Sequence, residues 1–232
     1  VPSPNIWRWP EIYEVENRAQ DADGLIWRTL RECCDWDGHD VVDVGCGDGY
    51  HLSVFAATAR SVVGVEPHPP LVRRAEARLA GVSHVRVVSG VAERLPLPSA
   101  SVDLVHARTA YFFGRGATPG IEEAERVLRP GGTLAVVDLD VTVGPYGDWM
   151  LADLPRYDAA DVPRFFAEQG FDCRTVVTEW RFDSRADLEA VLRIEFSPSV
   201  ARRAVATTPG LAIPVGYRIH TRRKPSRLVL PR

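Results

Sequence analysis

The sequence predicts an α/β protein of the doubly wound kind, a mostly parallel sheet with helices on both faces. Three observations lead there. Short apolar, β-branched runs alternate with helical patterns along the chain, the order that buries a parallel sheet between two helical layers. The first run, Val41 to Val44, contains Asp43 and gives way to Gly45, Gly47 and Gly49 before a helical pattern starts at Tyr50. The next, Ser61 to Val65, is closed by Glu66, 23 residues after Asp43. In doubly wound sheets an acid about 20 residues past a glycine turn takes the ribose hydroxyls of a nucleotide-like ligand.

Each element follows in order. A strand near 40–44 ends in the glycine turn, where the backbone can adopt positive φ and approach a ligand with no Cβ in the way. The helix after it, near 49–59, offers unpaired N–H groups to that ligand. The dinucleotide fingerprint G-x-G-x-x-G needs glycine at position 50, and Tyr50 stands there. Strands near 61–65, 84–88, 102–106 and 133–138 continue the sheet. Helices near 69–80 and 119–128 lie between them, the latter with Thr118 and Pro119 as N-cap and N1. A short helix runs from Pro163 to Gly170, a typical stop residue. Phe171–Phe182 is the sixth strand, Arg185 to about Ala206 one longer helix, and Ile213–Thr221 the last strand. Residues 1–36 form an aromatic-rich leader with Trp7, Trp9, Tyr13 and Trp27; residues 37–232 form the main body of what is expected to be a single globular domain.

Three further phrases join the glycine turn. Ser89-Gly90-Val91-Ala92-Glu93-Arg94-Leu95-Pro96-Leu97-Pro98 is followed by Ser101-Val102-Asp103-Leu104-Val105, and Glu125-Arg126-Val127-Leu128-Arg129-Pro130-Gly131-Gly132-Thr133-Leu134 leads into the fifth strand. With Asp-x-Gly-x-Gly-x-Gly at 43–49, these stretches over roughly residues 40–140 resemble the class I S-adenosylmethionine-dependent methyltransferases, in particular the type 11 small-molecule group. The resemblance implies a Rossmann-like seven-stranded sheet whose last strand lies antiparallel between the fifth and sixth. It implies S-adenosyl-L-methionine as cofactor, held by Asp43, Gly45, Cys46, Gly47, Gly49, Glu66, Pro67, Ala92, Glu93 and Ala107. Tyr13 and Arg18 join that set from the leader, which such proteins use as a lid over the methionine end. Val91 departs from the pattern, because the family has an aspartate there for the adenine amino group. Adenine must then be read by backbone near Ala92, by Glu93 or by apolar stacking.

Residues at the end of the fourth strand face the reacting methyl in this architecture. Here they run His106-Ala107-Arg108-Thr109-Ala110-Tyr111-Phe112-Phe113, without the Asn-Pro-Pro-Tyr of enzymes that methylate exocyclic or side-chain amides. His106 is a candidate general base, with an ordinary pKa near neutrality; its alternative is a hydrogen-bonded core residue. Asp138 and Asp140 are further candidates for the base. Arg108 can clamp a substrate carboxylate or phosphate, the cofactor carboxylate, or a leader acid such as Glu14 or Glu16. Trp9, Tyr111 and Phe113 are the expected acceptor contacts, and the 185–206 segment with Arg193, Glu195 and Phe196 is a second candidate wall.

Composition narrows the rest. A net charge of −3 argues against a nucleic-acid substrate, which usually needs a basic face. Lys224 is the only lysine, so Schiff-base chemistry lacks its residue. Four cysteines and six histidines show no metal spacing, so no metal is expected and the thiols are read as reduced. No apolar run reaches the roughly 20 residues of a membrane span. The expectation is a cytoplasmic bacterial enzyme, monomer or homodimer, that methylates a small molecule at O, N or C. Its rivals are a non-catalytic S-adenosylmethionine-binding regulator, aminopropyl transfer on the same fold and, third, a nicotinamide oxidoreductase.

Overall fold

The computed structural model describes residues 4–110 and 114–226. Helices α1 (Pro4–Arg8), α2 (Pro10–Ala19) and α3 (Leu25–Cys33) open the chain. They are followed by β1 (Asp40–Val44), α4 (Leu52–Ala56), β2 (Ser61–Glu66), α5 (Pro69–Arg78), β3 (Val85–Ser89) and β4 (Val102–Arg108). A 3-10 turn, Gly114–Ala117, runs into α6 (Thr118–Val127) and β5 (Leu128–Asp140). Then come α7 (Tyr146–Asp153), α8 (Asp161–Glu168), β6 (Asp172–Arg181), α9 (Arg185–Glu195), α10 (Pro198–Thr207) and β7 (Ala212–Arg223). The seven strands are ordered β3-β2-β1-β4-β5-β7-β6, with β1, β2, β3, β4 and β5 paired in parallel. Gly131 donates its N–H to the Lys224 carbonyl at 2.9 Å and Lys224 donates its own to the Gly132 carbonyl at 2.8 Å, two residues set against one as at a β-bulge between antiparallel strands. The mixed sheet with an antiparallel last strand is the one the sequence leads to.

Several boundaries differ from expectation: the helix expected near 49–59 is confined to Leu52–Ala56, and the one expected from Pro163 starts at Asp161. The fifth strand begins at Leu128 rather than 133, because Pro130-Gly131-Gly132 is carried along the returning chain at Lys224 instead of forming a free turn. Thr118 is not a cap: the 3-10 turn feeds the helix directly, Ala117 takes the N-cap position, and the Thr118 hydroxyl donates to the Arg115 carbonyl at 3.0 Å. The expected long helix from 185 is two helices. Pro198 forces the residue before it out of helical geometry, and Ser197 is extended at φ −55°, ψ 154° with its N–H on Asp153 at 2.6 Å. Helix α7 lies in a stretch with no element expected.

The chain divides into two compact units, and the leader is not one by itself. Residues 30–138, 161–174 and 219–226 form one unit, and residues 4–29, 139–160 and 175–218 the other. In the first, Val41, Val42, Val62, Leu104, Val105 and Val136 are buried from adjacent strands. Trp36 meets Phe55 edge-on at 5.2 Å beneath them. At the amino end of β1, Arg129 bridges Asp40 (2.9 Å) and Asp103 (2.7 Å). That pairing ties the register of β1 to β4, so Asp43 stands opposite His106. In the second unit Tyr146 packs on Trp180 (4.8 Å) and Phe196 (5.2 Å), and Trp180 donates its indole N–H to Tyr217 at 2.8 Å.

Candidate functional site

The glycine turn at the carboxyl end of β1 has positive φ at each glycine: +75° at Gly45, +57° at Gly47 and +81° at Gly49. These are backbone conformations that side-chain-bearing residues rarely hold. The turn is moulded from three sides. Gly45 and Cys46 donate N–H groups to the Val65 carbonyl at 2.8 and 3.2 Å. Gly47 donates to Glu66 Oε2 at 3.1 Å. A Cβ on Gly49 would lie 2.9 Å from that of Ala75 on α5.

Three buried acids surround this turn: Asp43, Asp48 and Glu66. Asp43 Oδ1 lies 2.7 Å from His106 Nδ1. An ionised carboxylate only accepts, so His106 carries its proton on Nδ1 in this pair. Asp48 takes a 2.9 Å contact from Arg78 Nη2 and accepts the Tyr50 N–H at 3.3 Å. Glu66 accepts backbone N–H groups, from Gly47 on one oxygen and from His68 (2.9 Å) on the other. Burial pushes the Glu66 carboxyl above its ordinary value, against the two backbone bonds and with a further push from Asp43. A carboxylate oxygen accepting one N–H keeps a second lone pair, so Glu66 retains the two acceptor sites a vicinal diol requires. The residues present therefore fit an adenosine-bearing cofactor.

The remaining cofactor candidates lie on the same unit. Pro67 is exposed, Ala92 half-buried and Glu93 exposed, and Ala107 is fully buried, so only its backbone is offered. Val91 is exposed, and the Glu66 carbonyl accepts the Gly90 N–H beside it at 3.2 Å. Cys46 is buried and its thiol is pushed far up, first by burial and then by Asp43 and Glu66, which leaves it unsuited to nucleophilic work.

His106 is buried against Phe55, ring centroids 5.0 Å apart, and takes the hydrogen-bonded core environment rather than an open position. Arg108 closes β4, 8% exposed. Asp140 Oδ1 accepts from Arg218 at 2.6 Å and from the Thr142 N–H at 3.0 Å. Asp138 is buried at the end of β5. Tyr111, Phe112 and Phe113 lie outside the described residues. Trp9, Tyr13 and Arg18 belong to the other unit, where Trp9 is exposed, Tyr13 is half-buried on α2, and Arg18 reaches Glu14 at 3.9 Å. Glu16 accepts from Gln20 at 2.8 Å. In the 185–206 segment, Arg193 pairs with Glu189 at 2.7 Å, Phe196 packs on Tyr146, and Glu195 accepts from Asn5 (2.7 Å) and the Tyr146 hydroxyl (2.9 Å).

Two groups escaped the sequence reading. Asp48, unassigned in the glycine turn, is 2% exposed and gripped by Arg78 of α5. His51, half-buried at the start of α4, is held well below its ordinary pKa by burial, then by the charges of Arg108, His106 and Arg78. Its position two residues past Gly49, the last glycine of the turn, was the available signal.

A glycine turn above parallel strands, with a buried acid closing the second strand, defines a nucleotide-cofactor-binding α/β protein. A methyltransferase-domain family model of the type 11 group matches residues 42–136. A probable S-adenosylmethionine-dependent methyltransferase of Mycolicibacterium smegmatis is 30% identical over 188 residues, 80% of this chain and 71% of that one. A ubiquinone/menaquinone biosynthesis C-methyltransferase of Rubrivivax gelatinosus is 30% identical over 210 residues, 82% of this chain and 78% of the other. The crystal structure of YcgJ from Bacillus subtilis superposes with a TM-score of 0.62 at 17% identity, covering 85% of this chain and 97% of that one. The chain belongs to the S-adenosylmethionine-dependent methyltransferases, and S-adenosylmethionine is its cofactor. No helix among the described residues is long and apolar enough to cross a membrane.

Proposed function

We propose that this protein transfers the methyl group of S-adenosylmethionine to a small-molecule acceptor by in-line displacement, at an oxygen, nitrogen or carbon. The observation that carries the reading is Glu66, buried at the end of β2 and held by the backbone N–H groups of Gly47 and His68. Asp43 and Asp48 are engaged by His106 and Arg78, so Glu66 is the acid of the three that takes the ribose diol. Gly45, Gly47 and Gly49 admit the cofactor to the backbone. Pro67, Ala92, Glu93 and the Ala107 backbone complete the contacts, with exposed Val91 giving adenine an apolar face.

Bound S-adenosylmethionine supplies an electrophilic methyl on a sulfonium that leaves as a neutral thioether. The protein's tasks are alignment, exclusion of water and, for a protonated acceptor, removal of the proton. His106, buried on Asp43, acts as a positioning residue. His51, held well below its ordinary pKa chiefly by burial and then by the charges of Arg108, His106 and Arg78, stays neutral beside the turn. Arg108 orients an anionic group of the acceptor or of the cofactor. A net charge of −3 favours a small molecule over RNA, and the relative named for quinone biosynthesis is in keeping with it. We place the protein in the bacterial cytoplasm, consistent with its sparse, unspaced cysteines.

The test is a methyl-labelled cofactor incubated with protein and a fractionated bacterial extract. Label is expected in the small-molecule fraction. Label in RNA or protein would overturn the substrate class, and tight cofactor binding with label nowhere would favour the regulator.

A further inference from the structure

The contact between α5 and the glycine turn is more specific than helix-on-sheet packing. Arg78, in the last turn of α5, donates from Nε to the Asp48 carbonyl at 3.1 Å and from Nη2 to Asp48 Oδ2 at 2.9 Å. One guanidinium thus holds the backbone and the side chain of a single turn residue. The same group lies over the Tyr50 ring, 5.4 Å from its centroid. Asp48 returns the constraint to the chain by accepting the Tyr50 N–H at 3.3 Å. Both neighbours of Gly49 are therefore tied to Arg78, while Gly49 itself packs on Ala75 one turn earlier in α5.

The residue before Asp48 is Gly47, whose N–H is one of the two donors that hold the Glu66 carboxylate. The carbonyl that Arg78 holds belongs to the Asp48–Gly49 peptide, two peptide units after the Gly47 N–H, so the clamp reaches Gly47 by restraining the turn as a whole. Arg78 is 31% exposed and Asp48 3% at the side chain. The arginine reaches in from the surface to a buried acid, and its planar fork spans two acceptors that a lysine's point charge cannot hold together.

We propose that Arg78 and Asp48 form a positioning pair for cofactor binding: by clamping the glycine turn they set the Gly47 N–H that orients Glu66. Neither residue needs to touch the cofactor. The proposal rests on Glu66 being the ribose acid, and the test separates the two claims.

S-adenosylhomocysteine is titrated calorimetrically into the wild type, Arg78→Ala, Arg78→Lys, Asp48→Asn and the Arg78→Ala/Asp48→Asn double variant, with melting temperatures measured in parallel. Loss of one charge-assisted clamp acting through the turn is expected to weaken binding about 10-fold in Arg78→Ala and in Asp48→Asn. The double variant should be no weaker than the worse single one, since the pair acts as a unit. Arg78→Lys should recover only part of the loss. Wild-type affinity in Arg78→Ala with a lowered melting temperature would make the pair merely structural, and additive losses would break the coupling; either result overturns the proposal. Should Arg78→Ala not fold, Arg78→Lys and Asp48→Asn carry the same test, and unchanged affinity in both overturns it. Glu66→Ala titrated alongside distinguishes the underlying reading: unchanged affinity there refutes Glu66 itself, whatever Arg78 does.

Discussion

Asp43 and His106 face each other across the parallel strands β1 and β4, and their side chains meet at 2.7 Å in the core. Sixty-three residues separate them, so neither predicts the other from local sequence. The pairing explains how an aspartate survives 4% exposed in the motif strand: a buried carboxylate without a donor is costly. His106→Phe removes that donor while keeping an aromatic ring beside Phe55. It should lower unfolding free energy by about 3 kcal/mol, read by urea denaturation. His106→Phe with wild-type stability would mean that Asp43 has no need of the imidazole.

Glu66 gives a prediction with a pH sign. Glu66→Ala should weaken S-adenosylmethionine binding by about 1.5–3 kcal/mol, roughly 10- to 100-fold. Its pKa is raised in the folded protein, chiefly by burial, so the carboxylate that accepts the diol is lost earlier on acidification than an ordinary glutamate would be. Cofactor affinity should therefore fall as pH drops through that raised value. The stability contribution runs the other way: the folded state holds a proton that the unfolded state has released, so stability is fully present below the ordinary glutamate pKa and lost as pH rises through the folded one. Titration calorimetry against pH, with proton release on binding, checks both.

The path of the sheet was legible because it is written locally. Alternating apolar runs, the glycine turn and Pro130-Gly131-Gly132 each act within a few residues, and all the expected strands exist. What the local pattern could not show is where polar side chains go. Asp48 drew no role because its partner Arg78 sits 30 positions away. Asp140 stood as one candidate base among others because Arg218 is 78 away. The break at Ser197-Pro198 was legible in principle, since proline restricts the residue before it, but the amphipathic pattern on either side hid it. His106 remained open between base and core because β4 alone does not say how deeply its carboxyl end is covered.

Gly64 passed unnoticed inside a buried strand, although its lack of a side chain shapes the turn. A Cβ there would lie 2.7 Å from Cys46 Sγ and 2.8 Å from Leu52 Cδ1. Gly64→Ala must displace Cys46, the middle of the glycine turn, or the first residue of α4. Overpacking of this kind is expected to cost about 1–3 kcal/mol and to weaken cofactor binding along with stability. Denaturation and S-adenosylhomocysteine titration on the same preparation check it. Full stability with full affinity would show that the turn yields freely at Cys46.

Gly47→Val attacks the turn through its backbone conformation. At φ +57° a β-branched residue is a true outlier, with strain on the order of 1–3 kcal/mol. The turn should escape by rotating Gly47 out of its pose, which takes its N–H off Glu66. Binding of S-adenosylmethionine should be lost while the sheet keeps its circular dichroism. Calorimetry showing wild-type affinity would sink the cradle reading.

The last prediction lies in the other unit, where Glu195 joins four helices. It accepts from Asn5 of α1 and Tyr146 of α7, and Glu16 of α2 acts on its titration. Two neighbouring carboxyl groups resist ionising together. Burial holds the Glu195 carboxyl above its ordinary value, opposed by the bonds from Tyr146, Asn5 and Glu16, and the same burial with the neighbouring Glu195, Glu16 and Tyr217 raises the Tyr146 hydroxyl. Because the folded pKa is raised, this group's stability is fully present below the ordinary glutamate pKa and is lost as pH rises through the folded value. Glu16→Gln keeps the side-chain shape and removes the second titrating carboxyl, so the variant should hold its melting temperature as pH rises where the wild type declines. Melting curves from pH 5 to 9 decide it. Parallel wild-type and Glu16→Gln profiles would show that the two carboxyls do not share a proton.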